Sequence, residues 1–382
     1  MTQVLPNYYP QFACTGSHCT DNCCIGWEIG LDAPTLNRWN QETGPLAPAL
    51  QQAIAPGQPP CFRLDDQGRC PFLEASGLCQ LQREGRADLL GPICREHPRF
   101  HNTMGQRRES GLGLCCESAA QLILLADKPM ELIQQPWEGS VPEGSPHASP
   151  QLLTQLDALR SLCLALVNHA ALPFFHRLAL LCCLAQDLQT GFSQIDPQEP
   201  DPQPLQCQAI AQVVEAYGDS AFWASLAHQL PELLPPQESE ATASLLASFY
   251  QSLLISDPLW SNALERLAHQ LPHRLAQAAG PHSLPTGPME RLAEYFLYRW
   301  CSVAVLEGDA LGGLLPAVSG CLLVALLALE HPQPAASHLV ELARLYSKQV
   351  EYCPENLTRM EQAIWQEDCF SPLALAGLLF GL

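Results

Sequence analysis

Charge is scarce in this chain, and positive charge most of all. Only 15% of its 382 residues are Asp, Glu, Lys or Arg, against about 25% in an average soluble domain. Nineteen basic residues face 39 acidic ones, a net charge of −20. Such a chain lacks the basic surface that phosphate binding demands, which excludes nucleic acid as a partner. The imbalance is uneven: residues 1–130 hold 10 basic and 13 acidic side chains (net −3), and residues 131–382 hold 9 and 26 (net −17). The acidic half either attracts a basic partner at long range or keeps an apolar protein soluble.

Other absences narrow the field. The N-terminus, Met1-Thr2-Gln3-Val4-Leu5-Pro6, has no basic stretch followed by an apolar run, so no secretory signal is expected and a cytoplasmic location is. No G-x-G-x-x-G loop follows a strand, which removes the common Rossmann route to an adenosyl cofactor. Alternating β-branched or aromatic runs are few. The one long uncharged stretch, Ala310 to Leu329, has the length of a membrane span. It contains Gly312, Gly313, Pro316, Ser319 and Gly320, and it has no nearby Lys or Arg to orient it, so it reads as a buried core helix and no span is expected.

What is present is apolar text and sulfur. Hydrophobic residues make up 47% of the chain, enough to exclude global disorder, and the length suggests two or three domain-sized units. Residues 1–130 are rich in Cys, Gly and Pro, with helices expected only from Thr35 to about Ile54 and from Cys116 to Leu125. Gln134–Pro150 and Ser193–Pro204 are turn-rich, the first acting as a connector and the second as an acidic surface loop. Strong helix formers fill Leu152–Val167, Phe174–Leu188, Gln208–Tyr217, Ala241–Ile255, Trp260–Ala278, Met289–Leu306, Ala317–Leu329 and Ser337–Val350. The expected fold is mainly α: a Cys-rich, metal- or cluster-binding domain at 1–130, a linker at 131–150 and an acidic all-helical domain at 151–382.

Of 18 cysteines, ten fall within the first 116 residues. In a reducing compartment, clustered thiols read as metal or cluster ligands rather than disulfides. Cys14, Cys19, Cys23 and Cys24 can converge only if the backbone turns tightly, for which Gly16, Asp21, Asn22 and Gly26 are suited. Cys70, Cys79, Cys94, Cys115 and Cys116 follow. Paired Cys-x₂-Cys zinc knuckles are absent, and clusters accept more varied spacing, so the pattern tilts towards iron–sulfur with zinc as the alternative metal. The radical-enzyme arrangement Cys-x₃-Cys-x₂-Cys is not met, because Gly26 takes its third place. Cys163, Cys182, Cys183, Cys207, Cys301, Cys321, Cys353 and Cys369 lie in Leu/Ala-rich helical text and read as small apolar residues.

Tyr9…Phe12-x-Cys14, Cys19-x₃-Cys23-Cys24-x-Gly26-Trp27-x-Ile29 with Asp32 and Thr35, Cys70-Pro71-Phe72-Leu73, Leu78-Cys79, Cys94 with Pro98-Arg99, and Cys116 before Ala119-Ala120-x-Leu122-Ile123-Leu124 together form a pattern over about 115 residues. That pattern resembles the flagellin lysine-N-methylase family and, more distantly, a wider group of cysteine-rich metal-chelating proteins. In the helical part, Glu294-Tyr295-Phe296, Tyr298-Arg299-Trp300, Arg344 and Glu351 look like the family's later blocks. The resemblance implies metal ligation by Cys14, Cys19, Cys23, Cys24, Cys70, Cys79, Cys94 and Cys116. It leaves Cys61 and Cys115 as small buried residues. It also implies a [4Fe–4S] cluster, S-adenosylmethionine as methyl donor and flagellin as substrate and partner. One departure is that the family's Cys-Pro-Glu stands here as Cys116-Glu117-Ser118.

Lysine methylation requires a neutral amine, although lysine is protonated near pH 7. Aromatic faces suit both an ammonium and a sulfonium, and acidic groups can guide the lysine. Near the thiols this makes Tyr8, Tyr9, Trp27, Glu28 and Asp32 candidates, with Tyr9, Trp27, Glu28 and Asp32 as the catalytic set. Asp32 also suits a helix cap before Pro34. Tyr295, Tyr298 and Trp300 are candidates from the helical part. Arg95 and Arg99 could hold the donor's carboxylate or offset cluster charge, and His18 and His97 could ligate or carry protons. The competing readings are a zinc-stapled interaction module and a thiol-based metal-handling protein, both without methyltransferase activity.

Overall fold

The structure is a computed structural model, and it describes residues 1–25, 29–57, 60–233, 239–278, 284–331 and 333–382. The chain is mainly helical, and among the described residues the strands all lie before Trp137. These are β1 (Thr2–Pro6), β2 (Ile54–Ala55), β3 (Cys61–Phe62), β4 (Arg99–Met104), β5 (Arg107–Leu112) and β6 (Leu132–Pro136). Four of them form a sheet in the order β4-β5-β1-β6, with β1 parallel to β5 and antiparallel to β6. The sequence reading missed this sheet and placed β6 in the linker. The reason is chemical: β5 reads RRESGL, yet Glu109 and Ser110 are fully buried, because partners far along the chain satisfy them. Glu109 accepts both guanidinium N–H groups of Arg160, at 2.8 Å each. A buried carboxylate paired from 51 residues away looks, locally, like a polar loop.

The same N-terminal stretch holds α1 (Ala33–Gln41), α2 (Ala47–Gln52), α3 (Gln80–Arg83), α4 (Pro92–Glu96) and α5 (Glu117–Leu124). Asp32 caps α1 by accepting the Thr35 N–H at 3.1 Å. The single helix expected from Thr35 to Ile54 is broken at Glu42-Thr43-Gly44-Pro45, where proline cannot continue the ladder. Residues 29–90 enclose a small core of their own around Trp39, Leu50, Phe62, Phe72, Leu81 and Leu89.

Beyond lie α6 (Pro150–Val167), α7 (Phe174–Phe192), α8 (Gln203–Ala216), α9 (Ser220–Leu233), α10 (Ser239–Ser252), α11 (Pro258–Ala278), α12 (Thr286–Leu306), α13 (Ala310–Ala328), α14 (Ala336–Tyr346), a π-helical turn (Ser347–Glu351), α15 (Pro354–Gln366) and α16 (Pro372–Phe380). The eight expected helices are present. α9, α15 and α16 are additional, and α13 starts before Pro316 rather than after it. α13 is the apolar stretch long enough to cross a bilayer by length and composition. It is buried almost throughout and packs on α7, α11, α12 and α14. Each fully buried Leu there contributes about 1.5–3 kcal/mol, which offsets the hydrogen bond Pro316 cannot donate.

The helical core does not stop at residue 150. Met104, Leu112, Leu114, Ala119, Ala120, Ile123 and Leu124, from the sheet, the turn that follows it and α5, belong to the same apolar cluster as the helices. The sheet and α5 thus weld the small unit to the helical body.

Candidate functional site

Between the small unit and the sheet lies a cavity of about 500 Å³ whose wall contains Cys14, Cys19, Cys23, Cys24, Cys70, Cys79, Cys94 and Cys116. All eight thiols singled out from the sequence meet there, joined by Cys115, which the sequence reading set aside. Cys61 lies away from this wall, half-buried on β3. The eight later cysteines also lie elsewhere, mostly buried among helices.

Local backbone chemistry explains the convergence. The Cys14–Cys24 segment folds back through a 3-10 turn, Gly16–His18, entered by Gly16 at φ +56°, a conformation that favours glycine. The Asp21 carboxylate accepts the Asn22 N–H (2.8 Å) and the Asn22 side-chain oxygen accepts the Cys24 N–H (2.8 Å), so these turns form as their residue types predict. The Cys70 N–H donates to the Cys24 carbonyl at 2.8 Å, tying the first thiol loop to the second. Cys79 and Cys116 immediately precede α3 and α5. Neither closes a cap hydrogen bond, but the amides of Leu81 and Gln82, and of Ser118 and Ala119, act on the two sulfurs in the direction of the thiolate.

Burial dominates the thiol electrostatics and pushes Cys79 and Cys116 up, Cys19 to about 11 and Cys94 to about 12. The central three differ. Hydrogen bonding among them raises Cys24 and lowers Cys23 and Cys70. Cys79 and Cys94 feel the charge of Cys23 and Cys70, and Cys116 that of Cys14 and Cys23. Sulfurs with this mutual influence are a chemically suitable donor set for a soft metal centre. Among the described residues no three His, Cys, Asp or Glu side chains stand in a preformed chelate; what the fold supplies is their convergence on one cavity.

The remaining candidates are dispersed. Arg95, Arg99 and His97 line the cavity. Burial holds the His97 imidazole neutral, down to about 4. Arg99 lies over the Phe12 ring at 5.1 Å and the Tyr9 ring at 5.9 Å; Phe12 lines the cavity and Tyr9 does not. Asp32 is the α1 cap, away from the cavity wall, and His18 ends the exposed 3-10 turn. Trp27 and Glu28 lie outside the described residues, as does Gly26. Glu117 accepts from the Thr20 N–H (2.6 Å), the Thr20 hydroxyl (3.0 Å) and the Cys19 thiol (3.2 Å), so it clips the first thiol loop to α5.

The helical body reaches the cavity through Tyr352, a residue the sequence reading missed. Its phenol interacts with Arg299 and Cys115, and the His97 ring meets it edge-on at 6.4 Å. The later blocks prove to be the grip between the two halves. The Glu294 carboxylate accepts the Met130 N–H (3.0 Å), and the Tyr298 hydroxyl donates to the carbonyls of Val4 (2.9 Å) and Ser110 (3.0 Å). Arg299 pairs with Glu351 (2.9 Å) and lies over Phe100 at 4.5 Å. Arg344 and Lys348 both pair with Asp21, on the loop between Cys19 and Cys23. Tyr295 is buried and its hydroxyl donates to Glu351 at 2.9 Å. These aromatic candidates therefore hold the wall rather than the cavity, and Trp300 lies beside Arg299.

Comparison with known proteins gives the following. The FliB lysine N-methylase C-terminal domain family matches residues 160–378. The chain is 28% identical over 177 residues to proteins named lysine-N-methylase from Salmonella choleraesuis and Salmonella typhimurium, covering 44% of this chain and 43% of each relative. It is 28% identical over 135 residues to the flagellar biosynthetic protein FliU of Salmonella muenchen, covering 32% of this chain and 78% of that one. The match thus spans less than half the length of the two lysine-N-methylases. No solved structure matches.

Proposed function

The chain belongs to the FliB lysine N-methylase family, and from that premise we propose that it transfers methyl groups from S-adenosylmethionine to lysine side chains of flagellin in the cytoplasm. In this reading a [4Fe–4S] cluster is held by thiols drawn from Cys14, Cys19, Cys23, Cys24, Cys70, Cys79, Cys94 and Cys116. The observation that carries it is the convergence of all eight on one cavity beside two arginines. The thiol chemistry fits such a group: Cys23 and Cys70 already lean towards thiolates, the form in which sulfur binds metal. When bound, the cluster supplies an electron-rich, thiolate-ligated iron centre on which a donor molecule can be anchored.

The chain's own residues then have defined tasks. Arg95 and Arg99 face the cavity, where a guanidinium can take the donor's carboxylate in bidentate fashion. Phe12 and Tyr352 offer aromatic faces to a sulfonium or an ammonium. The partly enclosed wall strips water from the incoming amine, which favours its neutral form. The amine lone pair then attacks the methyl carbon as the carbon–sulfur bond breaks. The electron pair goes to the sulfur, which leaves as a thioether, and the amine proton goes to solvent or a base.

The test uses the full chain purified without oxygen. Iron and sulfide analysis should find bound cluster, and flagellin incubated with the protein and S-adenosylmethionine should gain whole methylene units on lysine. Cys19→Ala and Cys23→Ala should lose iron, and Cys207→Ala should keep it. Well-folded protein that binds zinc alone and adds no mass to flagellin would replace this reading with a zinc-stapled interaction module.

A further inference from the structure

A second depression begins where the thiol cavity ends. Thr15 and Ser118 line both, and their hydroxyls are joined at 3.1 Å. From that rim an open groove of about 660 Å³ runs between α5 and the Asn7–Gln11 turn. Its floor includes Ser118, Gln121, Leu122 and Leu125, which at spacings of three, four and seven residues form one face of a helix. The opposite face, Ala119, Ala120, Ile123 and Leu124, is buried in the core, so this one faces outward. Here Leu125 is 48% exposed, and along the opposite wall stand the amide side chains of Asn7 and Gln11.

The groove's form selects its occupant. Small-molecule sites are concave and enclose most of the ligand, whereas this one is open along its length. Its lining combines Leu122, Leu125 and Ala126 with the amides of Asn7, Gln11 and Gln121, which can donate to and accept from a peptide backbone, and with the charged pair Asp127 and Lys128 at one end. It is continuous with the cavity assigned above to the methyl donor. We propose that it seats an extended segment of the protein substrate, with the target lysine's side chain crossing the Thr15–Ser118 rim into the thiol cavity. This rests on the methyltransferase reading, from which the experiment below separates it.

The probe is purified flagellin, and the measurements are its binding to the full chain and the KM and kcat of methylation. Leu125→Glu places a charge in the groove at a half-exposed position that tolerates it. It should weaken flagellin binding and raise KM at least tenfold with little change in kcat, and Leu125→Ala should lie between it and the wild type. Leu245→Glu, at a residue 55% exposed near α15, adds the same charge elsewhere and should change neither. If the wild type methylates flagellin and Leu125→Glu matches it in binding and KM, the groove proposal fails and the enzyme reading stands. If the wild type transfers no methyl group, the enzyme reading fails, and flagellin binding alone decides: a loss confined to the Leu125 variants supports the groove, and equal binding overturns it.

Discussion

Asp21 sits on the loop between Cys19 and Cys23 and is held by two cations from the helical body, Arg344 and Lys348. Replacing it with Asn keeps the shape and removes the charge. The magnitude lies between two limits. Exposed ion pairs contribute about 0.2–1 kcal/mol, and breaking a fully buried pair costs about 3–5 kcal/mol. The Asp21 side chain is 25% exposed and that of Arg344 6%, and Arg344 retains Glu341 at 2.6 Å. A cost of about 1–2 kcal/mol follows, equivalent to a shift of about 5–30-fold in an opening equilibrium. The loss should be local to the thiol loop. In metal-free protein, iodoacetamide should label Cys24 and Cys70 faster by that factor in Asp21→Asn, while Cys163, buried in the helical core, stays unlabelled in both. The wild type in 1 M salt, where the Debye length falls to about 3 Å, should move part of the way. Identical labelling of Cys24 and Cys70 in mutant and wild type would refute the reasoning, since the cations would then not hold the loop.

Other outcomes follow from other contacts. Glu109 and Arg160 are both 1% exposed, so Glu109→Leu or Arg160→Met alone should cost about 3–5 kcal/mol in urea unfolding by stranding a buried charge, and the double variant should cost much less than the sum. At Gly113 an added Cβ would stand 2.6 Å from Tyr352 Cζ. Gly113→Ala should therefore cost about 1–3 kcal/mol by overpacking and, with Tyr352→Ala in the same chain, should prove less than additive. Burial lowers the His176 imidazole below its ordinary value, against the Phe380 ring at 4.7 Å. The unfolded chain then takes up that proton first, so its contribution is complete above about pH 6.5 and is lost as pH falls below that value. His176→Phe should give a shallower decline in stability from pH 7.5 to 5 than the wild type.

The helices and the thiols were legible in the sequence, each for a local reason. Ser149 caps α6 beside a run of strong helix formers, and helix formation depends on neighbours within a few residues; α9, α15 and α16, and the start of α13 before Pro316, were not read. The eight thiols were marked by their density and by turn residues between them. Strand β5 was not legible, because its buried polar groups are satisfied from afar: Glu109 by Arg160, the Ser110 carbonyl by Tyr298; β6 is an exposed edge strand whose short polar text reads as a connector. Asp32 was readable as a cap, and the structure places it there rather than on the cavity wall.

The sequence alone determined that this chain is helical in its larger part, acidic, and supplied with more thiols near its start than apolar packing requires. Only the tertiary structure decided that those thiols share one cavity, that Cys115 and Tyr352 join its wall, and that Arg344, Lys348 and Tyr298 hold it closed from 188 to 327 residues away. Capping and helix propensity act over a few residues and leave a local trace. A cavity is formed by surfaces that meet only once the whole core has packed, and no short stretch of chain carries a record of its partners.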